Sequence, residues 1–134
     1  MRSMPFLTLP IVTWLICGTV KFGVNLFRTG SEAVSRVGHG GFPSNHTAIV
    51  SSMMCALLLM REWHIAGLAL AVLMVLIFDA TGLRREVGRH ATVINQLSGT
   101  RFREIMGHSF LDIAGGLVIG IAVAGVYWLI GVLH

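Results

Sequence analysis

Hydrophobic and polar positions fall along this chain in blocks rather than in stripes. Four apolar blocks, at 5–27, 45–60, 65–83 and 109–133, are separated by two polar segments and one tight connection around Arg61-Glu62-Trp63-His64. Three of the blocks match the ~20 residues that a bilayer-crossing helix requires. The block at 45–60 is shorter, so it is expected to begin in the interface, to tilt, or to be shielded by its neighbours. A soluble bundle would carry polar stripes on its helices, and 65–78 has none. The second polar segment interleaves Arg84, Arg85, Glu86, Arg89, His90, Asn95 and Gln96 with Val87, Ala91, Val93, Ile94 and Leu97. That spacing predicts an amphipathic helix at the membrane surface, ended near Gly99. The pattern therefore predicts an all-α, polytopic transmembrane helical bundle of about four spans plus an interfacial helix, with residues 1–134 forming one domain.

Composition strengthens the membrane assignment. Of 134 residues, 54% are hydrophobic and 12% charged, and mean hydropathy is +0.78. The expected surroundings are a bilayer, with no nucleic-acid partner. The first block holds Pro10, Gly18 and Lys21 and is followed by no small-residue cleavage site, so it reads as mature structure rather than a signal peptide. Cys17 and Cys55 both fall in apolar blocks and read as small buried hydrophobes. With four spans, Arg2 and Arg61 fall on one side, while Lys21, Arg28, Arg36, Arg84, Arg85, Arg89, Arg101 and Arg103 fall on the other. The positive-inside rule favours a cytoplasmic location for the cation-rich face, in an inner or plasma membrane. Setting aside cations with a ligand-binding purpose reduces that asymmetry without reversing it. Trp63 and Trp128 suit the aromatic belt of the opposite face.

Four groups of residues on the cation-rich face carry candidate chemistry. Gly40-Gly41-Phe42-Pro43-Ser44-Asn45-His46 stands at the head of the second block. Glycines permit positive φ or close approach, Ser44 and Asn45 are capping residue types, and a helix starting there aims unpaired N–H groups at an anion. His46 lies in its first turn, placed to exchange a proton. His108 and Asp112 are spaced i, i+4 at the start of the last block, so on a helix they share a face. A carboxylate there fixes one ring nitrogen and directs the other as base or nucleophile; the alternative is an Asp that favours the helix dipole and pairs structurally. Lys21 and Arg28 form the third group, although Lys21 alone also fits a snorkelling lysine. Asp79, Arg84 and Arg85 form the fourth: Asp79 within a span requires a cation, and two adjacent arginines cannot both face one partner. His39, His64, His90 and His134 are less directed, and no histidine spacing matches a zinc motif, so neither a metal nor another cofactor is expected.

Read together, these motifs resemble the type 2 phosphatidic acid phosphatase superfamily, which includes the vanadium haloperoxidases. Lys21-x6-Arg28 resembles its first motif, with Thr29 in place of proline; Pro43-Ser44-Asn45-His46 resembles its second, with Asn45 in place of glycine; His108-x3-Asp112 resembles the end of its third. The third-motif arginine is out of register, since position 102 is Phe and Arg101 and Arg103 flank it. The closer similarity is to the divergent branch of small membrane proteins, through Gly40-Gly41-Phe42-Pro43-Ser44-Asn45-His46-Thr47, Phe78-Asp79-Ala80-Thr81-Gly82-Leu83-Arg84-Arg85 and Gly107-His108 through Asp112, in that order. The resemblance covers about residues 21–120.

The resemblance implies a metal-independent phosphatase acting on a lipid phosphate or pyrophosphate. His108 would become phosphohistidine, Asp112 would orient it, and His46 would protonate the leaving group. Lys21, Arg28, Ser44, Asn45 and either Arg84 or Arg85 would bind the phosphoryl oxygens, with Asp79 in support. Phosphatidic acid, phosphatidylglycerophosphate and polyprenyl pyrophosphate all fit a site at head-group depth. The competing expectation is a non-catalytic membrane protein that binds or translocates anionic lipids through its cationic face. The small residues Ala114, Gly115, Gly116, Gly120 and Ala124 allow close helix packing, within one chain or in a homodimer.

Overall fold

The computed structural model describes residues 4–29 and 41–131. Arg2, Arg36, His39, Gly40 and His134 lie outside the described residues. The described chain is helical: α1 (Met4–Thr29), α2 (Asn45–Leu59), α3 (Trp63–Phe78), α4 (Arg84–Ser98) and α5 (Phe110–Leu129). A five-residue π-helical turn, Asp79–Leu83, joins α3 to α4. Three helical stretches, Phe6–Arg28, Trp63–Ser98 and Phe110–Leu129, are long and apolar enough to cross a membrane, and α2 is a shorter apolar helix. The architecture is a helical membrane bundle.

The short apolar helix α2 sits at the centre. α2 packs against α1, α3 and α5, whereas α3 touches α2 and, of the bundle helices, little else. This placement answers the length problem, because a helix shielded by protein need not match the bilayer. Most of its inward positions are small or hydroxylated: Thr47, Ala48, Ser51, Ser52 and Ala56 are all buried, with Leu57 beside them. The hydroxyls are satisfied locally or across helices. Ser51 Oγ donates to the Ala48 carbonyl (3.2 Å), Ser52 Oγ to Ile49 (2.8 Å), and Thr13 Oγ1 lies 3.1 Å from Ser52 Oγ. On α5, Gly116 and Gly120 face this surface; a Cβ on Gly120 would lie 2.1 Å from Ser51 Oγ and 2.5 Å from the Ala48 carbonyl oxygen. Gly116, Gly120 and Ala124 of the last span are thus buried within one chain, while Ala114 is exposed.

Two ends of the bundle divide the labour. Leu9, Ala56, Val123 and Ala124 form a buried apolar cluster, flanked by Phe6, Met53, Met60, Ile119, Tyr127 and Trp128. These residues come from the start of α1 and the later parts of α2 and α5, the cation-poor end. Trp128 therefore packs partly on the core, while Trp63 is exposed. Leu68, Val72, Val75, Val118 and Ile121 point outward along α3 and α5, as lipid-facing residues should.

At the cation-rich end, α4 is not a detached helix. Helical backbone is continuous over Trp63–Ser98, 36 residues. At 1.5 Å per residue this is ~54 Å of helix, well beyond the ~30 Å hydrocarbon core, so its polar second half lies outside that core. Gly99 ends it in the left-handed conformation (φ 66°), as expected for a C-terminal cap. The chain then doubles back along α4. Asn95 grips the return segment through Phe102 N–H (2.7 Å to Oδ1), the Phe102 carbonyl (2.8 Å) and Glu104 Oε1 (2.7 Å), and Thr92 donates to Glu104 Oε2 (3.1 Å). Gly88 lets the segment lie close, since a Cβ there would meet the Glu104 carbonyl oxygen at 2.3 Å.

Candidate active site

The return segment ends at His108, and two elements fix that residue's backbone. Its N–H donates to the Ala80 carbonyl in the π-turn (3.1 Å), and its own carbonyl accepts from Arg85 Nη2 (3.0 Å). A π-turn shifts the helical hydrogen-bond register and lends a carbonyl to an outside donor. Gly107 makes the approach feasible: it has φ +87°, and a Cβ there would lie 2.6 Å from the Ala80 oxygen. The imidazole is buried, with 9% exposure, and its Nδ1 has no hydrogen-bond partner among the described residues.

The expected helical pairing of His108 with Asp112 is corrected by the structure. His108 precedes α5, because Ser109 caps that helix and sets its start. Ser109 Oγ accepts from Asp112 N–H (3.2 Å) and Asp112 Oδ2 accepts from Ser109 N–H (2.7 Å), a reciprocal capping box. Asp112 still comes near the ring, with Oδ2 3.7 Å from His108 Nδ1. The carboxylate thus serves the helix start first and stands beside the imidazole second. Burial, followed by the Lys21 ammonium, holds His108 below its ordinary pKa, against the opposing pull of Asp112. The ring is accordingly neutral at pH 7.

α2 begins against this same corner. Gly41 takes φ +125°, Pro43 is buried, and Ser44 is the N-cap. Ser44 N–H donates to the Asp112 carbonyl (2.8 Å), tying the start of α2 to α5. The Ser44 hydroxyl oxygen accepts from Thr47 Oγ1 (3.0 Å) and from Thr47 N–H (3.4 Å). Asn45 and His46 stand in the first turn of α2, where a helix has no intrahelical acceptors for its N–H groups. Asn45 Oδ1 is buried and unpaired among the described residues. Buried polar atoms without partners are uncommon in native structures.

These pieces surround a groove of about 540 Å³. Lys21, Asn45, His46, Arg84 and His108 all line it, together with Asn25, Arg103, Met106 and Gly107. A small recess beside it is bounded by Ser44, Thr47, Asp79 and Ala80 and shares His46, Arg84 and His108 with the groove. Arg84 is ion-paired with Asp79 through Nε and Oδ2. The adjacent arginines therefore divide: Arg84 faces the groove and Arg85 holds the His108 backbone. Arg28 does not line the groove; it is exposed near the end of α1. Asn25, one turn beyond Lys21, occupies the wall instead. Arg103, which sequence reasoning left unassigned, also lines it, five positions before His108 and one off the third-motif register.

Comparison with known proteins identifies the family but not the roles of these residues. The family model described as "Divergent PAP2 family" matches residues 3–123. A Bacillus subtilis (strain 168) protein described as "Uncharacterized membrane protein YuiD" is 29% identical over 105 residues, which span 61% of this chain and 66% of that protein. The matched part is thus just under two thirds of the relative's length. No solved structure matches.

Proposed function

This chain belongs to the Divergent PAP2 family, and on that premise we propose that it is an integral membrane phosphatase that hydrolyses a lipid phosphate or pyrophosphate through a phosphohistidine intermediate. The observation that carries this reading is the convergence of two histidines from separate segments on one groove, with Lys21 and Arg84 in the same wall. Two histidines allow one to attack while the other moves the proton.

In the first step His108 Nε2 attacks phosphorus, with Nδ1–H directed toward Asp112. The bond to the leaving oxygen breaks, and His46 delivers a proton to that oxygen. In the second step water, deprotonated by His46, attacks the phosphohistidine, the P–N bond breaks, and inorganic phosphate leaves. The nucleophile is the imidazole itself, so no metal-bound water is required. Lys21, Arg84, Arg103 and the N–H groups of Asn45 and His46 stabilise charge on the equatorial phosphoryl oxygens. Ser44 and Arg85 are positioning residues, holding the start of α2 and the His108 backbone respectively. Arg28 receives no role in this scheme. The positive-inside asymmetry supports a cytoplasmic location for the site face.

The test is phosphate release by purified protein, without added metal, from phosphatidic acid, phosphatidylglycerophosphate and polyprenyl pyrophosphate. His108→Ala should abolish turnover, and His46→Ala should slow it by about 10²–10⁴. Undiminished release by His108→Ala would overturn the mechanism. Lipid binding that survives loss of both histidines, with no release from any lipid by the parent protein, would favour a non-catalytic anionic-lipid binder.

A further inference from the structure

The groove is asymmetric along its length. The lining residues that do not belong to α1, namely Asn45, His46, Arg84 and the 103–108 segment, all belong to the polar end. The other half is α1 alone, where Trp14, Leu15, Gly18, Thr19 and Phe22 form the wall, the Thr19 hydroxyl donating to the Leu15 carbonyl of its own helix (2.8 Å). Trp14, Gly18, Lys21 and Asn25 are spaced i, i+4, i+7, i+11, one continuous stripe of the helix. From Lys21 to Trp14 that stripe descends ~10 Å toward the bilayer interior. Trp14, Leu15 and Phe22 are 51%, 54% and 43% exposed, so this half opens sideways onto lipid.

Gly18 lies midway along the stripe. A Cβ added there meets nothing within 4 Å, so the glycine leaves a notch rather than allowing a helix contact. Gly116 and Gly120 show the opposite, with every added Cβ colliding with α2. Packing therefore explains Gly116 and Gly120 and does not explain Gly18.

We infer that the notch at Gly18, between Trp14 and Phe22, seats the hydrocarbon chain of the lipid whose phosphate lies at the two histidines, making Gly18 a specificity-determining residue. This rests on the phosphatase reading for its substrate and deepens it. The occupant is set by continuity: a cationic pocket for the phosphate runs without a break into an apolar trough open to the bilayer. A chain leaving the bilayer for this trough exchanges one apolar surrounding for another, so burial supplies little selectivity. Shape supplies it instead, and a large side chain at position 18 excludes the chain sterically.

Two measurements test this. In mixed micelles, kcat/KM for dioleoyl phosphatidic acid is compared with that for water-soluble glycerol 3-phosphate. Gly18→Phe should lower the ratio of the two by about tenfold or more, whereas Gly67→Phe, at an equally open glycine on α3, should leave it unchanged. An unchanged ratio in Gly18→Phe overturns the inference. Separately, a hexadecyl phosphate bearing a photoreactive group in its chain is cross-linked to the full-length His108→Ala protein. Label should fall within residues 14–22 and disappear when Gly18→Phe is added; label confined to other helices overturns the inference. If the parent protein releases no phosphate from any substrate while the 14–22 label persists, the chain seat stands and the phosphatase reading falls.

Discussion

Gly116→Ala should damage catalysis far more than its single methyl suggests. Gly116 is the point where α5 meets the start of α2: a Cβ there would lie 2.5 Å from the Ser44 carbonyl oxygen and 2.9 Å from Thr47 Cβ. Neither neighbour is the end of a flexible side chain, so relief must come from the helices parting. Restoring ordinary contact to the Ser44 oxygen requires a displacement of ~0.9 Å, an overpacking change that costs about 1–3 kcal/mol. The same shift strains the 2.8 Å bond from Ser44 N–H to the Asp112 carbonyl. That bond ties the segment carrying His46 to the segment beside His108. Misplacing reacting groups by ~1 Å costs about 10²-fold in rate. Phosphate release by Gly116→Ala should therefore fall about 10²-fold, with a lowered thermal midpoint in detergent. Gly125→Ala on the same helix, where an added Cβ meets nothing, serves as the control and should keep full activity. Full activity in Gly116→Ala would refute the claim that α2–α5 contact sets the histidine geometry.

Three further outcomes are expected. The neutral His108 ring is the attacking form, and its pKa is lowered, so activity should persist as pH falls past ~6.5 and be lost only below it; Asp112→Asn removes the group that favours the protonated ring and should move this acid limb lower still, which a kcat/KM profile checks. Arg85→Gln should lower kcat about tenfold or more through loss of a charge-assisted hydrogen bond to the His108 carbonyl and leave KM nearly unchanged, whereas Arg84→Gln, in the groove wall, should raise KM. Gly107→Ala should destabilise the protein by about 1–2 kcal/mol from its left-handed backbone alone, with more from contact with the Ala80 oxygen, read as a lower unfolding midpoint.

Much of the membrane architecture is legible in one dimension because bilayer insertion depends on local composition. An uninterrupted apolar run such as 65–78 has few alternatives to a lipid-facing helix, and α3 is exposed along most of its length. The stop at Gly99 was equally local, since a left-handed cap favours glycine. The capping box at Ser109 was also written locally, as Ser-x-x-Asp, and it moves His108 off the helix on which i, i+4 spacing would place it. Arg28 shows the reverse case: its motif spacing is right, yet it lies near the exposed end of α1, seven residues beyond Lys21, while Asn25 takes the groove wall. Arg103 enters that wall on the return segment, which Asn95 and Thr92 hold against α4 through bonds to Phe102 and Glu104.

By itself the sequence determined the apolar spans, the gathering of cations into the polar segments between them and the histidines and carboxylates beside those cations, since each follows from hydropathy, charge or the chemistry of a few neighbouring positions. Tertiary structure alone decided which helix is central, which of two adjacent arginines faces the groove, and that His46 and His108 share one cavity. Those outcomes depend on the close packing of α2 on Gly116 and Gly120, on the π-turn carbonyl that holds His108, and on the return path of residues 99–108. Each joins positions distant in the chain, and no local property of either partner specifies the other.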